Sequence, residues 1–215
     1  YLENNYLYDI DAADEKYPFD TSNLTTYPDI YYIILDDYGN SKSLEKSFDY
    51  DNQEFISLLT NRGFDVAIDS YSNYPSTIHS LPSIMNMKYV NYLSEKYHDS
   101  NDVHELYNMM DYNLVTQHFK SIGYQTINFD GGNFFEELKI FDQNLCERKF
   151  WHKELWGIIQ HYTILGPLSI HKSTDDLREY RLCVFSELPM LQHKNAEPIF
   201  VFAHIMMPHS PYLFK

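Results

Sequence analysis

Tyr31-Tyr32-Ile33-Ile34-Leu35-Asp36-Asp37-Tyr38-Gly39-Asn40 is a run of strand-forming residues that ends in two adjacent carboxylates and a glycine. A continuous apolar run bounded by turn residues suits a strand buried on both faces of a parallel sheet. Open α/β sheets keep their ligands at the carboxyl ends of such strands, which puts Asp36 and Asp37 at the mouth of a site. Two carboxylates side by side repel each other unless a cation or a proton neutralises the pair, so they ask for a metal. A helix cap or a solvated turn is the plain alternative, because Asp is common at both.

Outward from this strand, the pattern predicts alternating elements. Residues 1–28 are acidic and polar, with Pro18 and Pro28, and read as an irregular lead-in. After the strand at Ile30 to Leu35, Asp51 and Glu54 have the form of a capping box, and Phe55, Leu58 and Leu59 give a helical stripe that Gly63 stops. Phe64-Asp65-Val66-Ala67-Ile68 alternates as a second strand. Turn-rich Ser70 to Ser76 leads into a helix carrying Ile78, Leu81, Ile84 and Met85, with Pro82 inside the pattern. Asp102 to Ile122 marks one long helix ended by Gly123, and Gln125 to Phe129 a third strand closed by Asp130-Gly131-Gly132. The stretch from Trp151 to Ile164 has helical character. Asp175 and Asp176 open a last helix with the stripe Leu177, Tyr180, Val184, Leu188 and Leu191, and Ile199 to Ile205 is a fourth, fully apolar strand. Strands alternating with helices imply an α/β fold with a mainly parallel sheet.

Composition narrows the function classes. A chain of 215 residues, 44% hydrophobic, can bury a full core. Its net charge of −15, with 16 Lys and Arg against 31 Asp and Glu, argues against nucleic acid as a partner. The 20 Tyr and 14 Phe fit an ordered sheet better than a disordered chain. Cys146 and Cys183 are the two cysteines, and they read as separate buried thiols rather than one disulfide. No apolar run reaches the ~18 residues of a membrane span, and the start does not resemble a signal peptide. The chain begins at Tyr1 rather than Met, which suggests a piece of a longer protein with an anchor outside it.

Three regions collect reactive residues: Asp36 and Asp37, Ser72 to Ser80, and His204 to Ser210. A parallel sheet can bring all three to one edge. Thr77 falls in the first turn of its helix, where free backbone N–H groups and the dipole favour a developing alkoxide or a bound phosphate. A threonine hydroxyl is a poor nucleophile without a metal to lower its pKa, and Asp36 is the available ligand. Ser76 or Thr77 acting only as a helix cap is the simpler alternative. His209, between Pro208 and Ser210, can hold a substrate oxygen or ligate metal, although a lone loop histidine usually does neither.

Ile33-Ile34-Leu35-Asp36-Asp37-Tyr38-Gly39 resembles the first metal-binding strand of the alkaline phosphatase and sulfatase superfamily. Thr77-Ile78-His79-Ser80-Leu81-Pro82-Ser83-Ile84-Met85 resembles the nucleophile helix of the phosphoethanolamine transferases. Phe202-Ala203-His204-Ile205-Met206-Met207-Pro208-His209-Ser210-Pro211 is similar to that superfamily's Pro-His-x-Pro segment. The three occur in the family's order. The resemblance implies a three-layer α/β/α fold with a mainly parallel central sheet, of which residues 29–215 would form an incomplete N-terminal portion. It implies Thr77 and His209 as catalytic residues, Ser80 and His204 in substrate binding, and Asp36, Asp37 and Thr77 around a divalent metal, zinc first, with manganese, magnesium or calcium as alternatives.

The substrate class it implies is a phospho-ester, less readily a sulfo-ester, or an envelope lipid or polymer, handled by an outward-facing domain of the bacterial cell envelope. Two departures stand out. Pro75-Ser76-Thr77 lacks the cysteine and following arginine of true sulfatases, and no Asp-His dipeptide supplies the family's later metal ligands. A degenerate, non-catalytic domain with a binding role is therefore the competing reading. A flavodoxin-like nucleotide binder is weaker, since no Gly-rich loop follows the first strand.

Overall fold

Ile199-Phe200-Val201-Phe202-Ala203-His204-Ile205 is buried along its whole length, and the other strands assemble on it. The computed structural model describes residues 23–97, 102–129, 135, 138–146, 166–191, 197–210 and 212–214, with the backbone alone at 95–97 and 166–176. The strands are β1 (Ile30–Leu35), β2 (Gln125–Phe129), β3 (Gln143–Leu145) and β4 (Ile199–Ile205). They form a four-stranded sheet in the order β1-β4-β2-β3, and every pair is parallel. The protein is α/β. Its helices are α1 (Ser41–Phe48), α2 (Gln53–Asn61), α3 (Thr77–Met85), α4 (Tyr92–Tyr97), α5 (His104–Asp111), α6 (Leu114–Ser121) and α7 (Gly166–Glu187), with a 3-10 turn at Leu188–Met190. None of the described helices is long and apolar enough to cross a membrane.

Alternation along β4 splits the core into two clusters. Phe200 and Phe202 pack with Leu81 and Met85 of α3, Met110 of α5, and Phe141. Ile199, Val201, Ala203 and Ile205 face the other way and meet Val184 of α7, with Leu188 and Leu191 alongside. Successive side chains of a strand point to opposite faces, so each cluster collects every second residue. In β1, Ile30, Tyr32 and Ile34 join the α3 side, whereas Tyr31 and Ile33 stay 41% and 46% exposed. The expectation that β1 is buried on both faces is thus corrected. It is an edge strand among the described residues, and α7 packs beneath its neighbour β4.

Other sequence expectations also change. Phe64 to Ile68 is not a strand: residues 64–67 are irregular, and Phe64 and Ile68 are exposed, because no strand lies beside them to complete a ladder. The single helix expected across 102–122 is two, broken at Asn113. That buried side chain accepts from Thr116 N at 2.8 Å and donates to Met110 O at 2.8 Å, ending one helix and capping the next. The Asp51 and Glu54 capping box does not form; Asp51 instead accepts from Gln53 N at 2.8 Å. The last helix starts at Gly166, well before Asp175. Cys146 and Cys183 are joined in a disulfide spanning 37 positions, not separate thiols. Residues 1–22 of the lead-in, Asp130-Gly131-Gly132 and the helical reading of Trp151 to Ile164 lie outside the described residues.

Candidate functional site

The register of β1 places the site. Asp36 continues the strand's ladder by one step, its N–H donating to Ile205 O at 2.9 Å. It therefore follows Tyr32 and Ile34 onto the α3 side of the sheet. The chain turns at once: Tyr38 N donates to Leu35 O at 3.2 Å, and Asp37 takes a left-handed φ of 64°. Asp is among the few non-glycine residues that adopt this conformation readily. The turn sends the two carboxylates apart. The Asp36 side chain is 11% exposed and the Asp37 side chain 65%.

Thr77 is the first residue of α3. Its hydroxyl donates to Asp36 Oδ1 at 3.2 Å, across 41 positions of sequence. Ser76 occupies the N-cap position in extended conformation but its side chain makes no capping bond, so neither hydroxyl acts as the helix cap. The N–H groups of His79 and Ser80 reach Ser76 O at 3.1 and 3.0 Å, while those of Thr77 and Ile78 have no intrahelical acceptor. Pro82 sits inside the helix without ending it, and α3 runs on to Met85.

His204, on β4 beside Ile34 of β1, brings Nε2 to 3.4 Å from Asp36 Oδ1. That is ion-pair range, and His204 Nε2 and Asp36 Oδ2 are both buried with no hydrogen-bond partner among the described residues. Burial raises the Asp36 pKa. The approach of His204, the Thr77 hydroxyl and the more distant charge of His209 outweigh it, and the carboxyl is held below its ordinary value. His209 pairs instead with Asp37, Nε2 to Oδ2 at 3.7 Å. Ser80 is buried, and its hydroxyl is already engaged: it donates to Tyr74 O at 2.8 Å and accepts from Tyr74 N at 3.2 Å. It holds the turn before α3 in place.

A cavity of about 580 Å³ opens over this cluster, with Asp36, Asp37, Thr77, Ser80 and His204 in its wall. Tyr38, Tyr71 and Tyr74 add aromatic surface, and no lysine or arginine lines it among the described residues. The structure thus brings together Asp36, Thr77 and His204 from three separate segments. Asp37 joins the wall from the exposed side, and His209 stands outside it next to Asp37.

No family model, curated protein or solved structure matches this chain. The site is therefore read from its own geometry. An ionised carboxylate with one buried, unpartnered oxygen, touching a hydroxyl, fits part of the oxygen shell of a hard divalent cation. Asp36 and Thr77 are the residues that fit. Asp37 is turned outward, and no cluster of three or more His, Cys, Asp or Glu suited to a metal occurs among the described residues.

Sequence reasoning missed Asn40 and Tyr74. Asn40 caps α1, accepting from Ser43 N at 2.9 Å, and its amide donates to Ser70 O at 3.1 Å. Its signal was an Asn just ahead of Ser41-Lys42-Ser43-Leu44, a helix start that went unread. Tyr74 donates from its hydroxyl to Asn91 Oδ1 at 2.6 Å and accepts from Val90 N at 2.8 Å, contacts without any local sequence sign.

Proposed function

We propose that the protein is a metal-dependent hydrolase or transferase that cleaves a phospho-ester, less readily a sulfo-ester, with Thr77 as nucleophile. The observation that carries this is the hydrogen bond from Thr77 Oγ1 to Asp36 Oδ1, made at a helix start and opening into the cavity. Asp36, kept ionised by its neighbours, draws the hydroxyl proton toward itself and fixes Oγ1 toward the cavity. Oγ1 attacks phosphorus, the ester oxygen leaves, and the group rests on Thr77 until water or an alcohol takes it. The free N–H groups at the start of α3 face the charge on the transferred group. His204 holds Asp36 in place from the sheet. A divalent ion held by Asp36 and Thr77, zinc first, would lower the hydroxyl's pKa and offset charge on the ester oxygens.

Resemblance to the alkaline phosphatase and sulfatase superfamily is consistent with the parallel sheet and with helices packed against both of its clusters. A disulfide between Cys146 and Cys183 supports an oxidising compartment, in keeping with an outward-facing envelope domain. The intact protein, titrated with zinc or manganese, should cleave a chromogenic phosphodiester, and Thr77→Ala should lower the rate by at least about 1000-fold. Equal rates for both proteins would show that Thr77 is not the nucleophile. Absence of turnover under every metal would favour a binding role, which the outward turn of Asp37 also suits.

A further inference from the structure

Tyr38-Gly39-Asn40, together with Ser70, divides the site cavity from a smaller one of about 170 Å³ on the α2 side. The far walls of this chamber come from Asn52 and Ile56 at the start of α2 and from Val66 to Ile68. The loop over it is clamped to α1, since Asn40 Nδ2 donates to Ser70 O at 3.1 Å and Lys42 pairs with Asp69. Gly39 lets the dividing wall approach α1: a Cβ there would meet Ser43 Cβ at 3.2 Å.

Asn52 makes this space a site. It occupies the N-cap of α2, where an asparagine side chain ordinarily accepts a helix N–H. Here it makes no such bond, since its backbone, at φ −98° and ψ 17°, lies outside the extended conformation from which a capping side chain reaches the helix N–H groups. Asn52 is only 4% exposed, and its side chain hydrogen-bonds to no described residue. A primary amide carries two donors and an acceptor, so at the wall of the chamber it offers a partner of mixed donor and acceptor character a ready place.

We propose that the chamber binds an uncharged, hydroxyl-bearing group, a single sugar ring or a short polyol. Among the described residues its walls hold no Lys, Arg, His, Asp or Glu, so none of them would compensate a ligand's charge. Tyr38 supplies an aromatic face, Ile56 and Ile68 meet C–H surface, and the Asn52 amide matches vicinal hydroxyls, which both donate and accept. The volume equals that of about six bulk waters, enough for one ring and too little for a chain of them. Because the two cavities share a wall, a group held here lies next to whatever occupies the space over Thr77. Its identity as the non-reacting part of an ester substrate rests on the function proposed above; its binding does not.

Nuclear magnetic resonance titration of the isotope-labelled intact protein tests this with methyl glucoside and, separately, glycerol. At least one should shift the Asn52 side-chain amide signals saturably, the glucoside if the site takes a ring and glycerol if it takes an open polyol. Glucuronate, which carries a charge, should bind at least about tenfold more weakly than the glucoside. Asn52→Leu should weaken binding by about tenfold or more, and Ala67→Trp, at an exposed wall position away from the helix start, should do the same by filling the space. Thr77→Ala should leave binding unchanged while removing ester cleavage, so the two proposals fail separately. Absence of saturable shifts with both probes, or binding that survives both chamber variants, overturns the assignment.

Discussion

Asp36 and Asp37 are one peptide apart and meet opposite surroundings. Asp36 extends the β1 ladder, receives the Thr77 hydroxyl and lies 3.4 Å from a buried histidine on the next strand. Asp37, thrown outward by a left-handed turn, faces His209 at 3.7 Å across a largely exposed pair. Charges shielded from water interact strongly, and exposed ones are screened by solvent and salt. The difference teaches that a carboxylate in this site is positioned by sheet register, and that adjacency in sequence confers nothing by itself.

Removing each histidine partner tests this contrast most forcefully. His204→Ala would open a void at the end of β4 and strip Asp36 of its neighbour, at a cost of about 2 to 4 kcal/mol. His209→Ala should cost under about 0.5 kcal/mol, as exposed pairs do. Denaturant unfolding of the two variants measures both, and similar losses would erase the distinction. A smaller effect concerns pH. The folded-state pKa of Asp36 lies below its ordinary value, so the unfolded chain takes up the proton first as pH falls. Its contribution to stability is present above the ordinary carboxyl pKa and is lost as pH drops through the folded value. Asp36→Asn has no such contribution to lose. Its stability should fall less steeply than the wild type's over that acid window, and parallel acid-unfolding curves would show that the neighbours of Asp36 do not hold it ionised.

How much of this was legible depends on where each signal is carried. The strands Ile30–Leu35, Gln125–Phe129 and Ile199–Ile205 announce themselves as apolar runs between turn residues, and α3 through its helical stripe. β3 does not, since Gln143-Asn144-Leu145 owes its place to tertiary bonds: Asn128 donates to Asn144 Oδ1 at 2.7 Å, and Thr126 donates from N and hydroxyl to Asp142 at 2.8 Å. Phe64 to Ile68 shows the reverse failure, an alternating pattern with no neighbouring strand to pair with. The helix break at Asn113 was hidden because its amide looks like any polar residue on a helix until both of its bonds are seen. Nothing in sequence brings Cys146 near Cys183. In the site, Asp36 and Thr77 were legible from their positions at a strand end and a helix start. The roles of Ser80 and Asn52 were not, because each depends on local conformation: the backbone of Tyr74 engages one hydroxyl, and the non-extended backbone of Asn52 keeps its side chain from capping α2.

The finest test separates the backbone of Asp37 from its side chain. At a φ of 64°, glycine meets no steric penalty, and its extra freedom in the unfolded chain offsets most of that gain, so Asp37→Gly should change stability by no more than about 0.5 kcal/mol. Valine carries a branched Cβ into the same left-handed region and should cost about 1 to 2 kcal/mol relative to glycine. A turn free to relax would tolerate both equally, and with it the outward placement of Asp37 would lose its cause. If valine alone is penalised, the turn is fixed by the ladder that ends at Asp36, and the separation of the two carboxylates follows from the backbone rather than from their mutual repulsion.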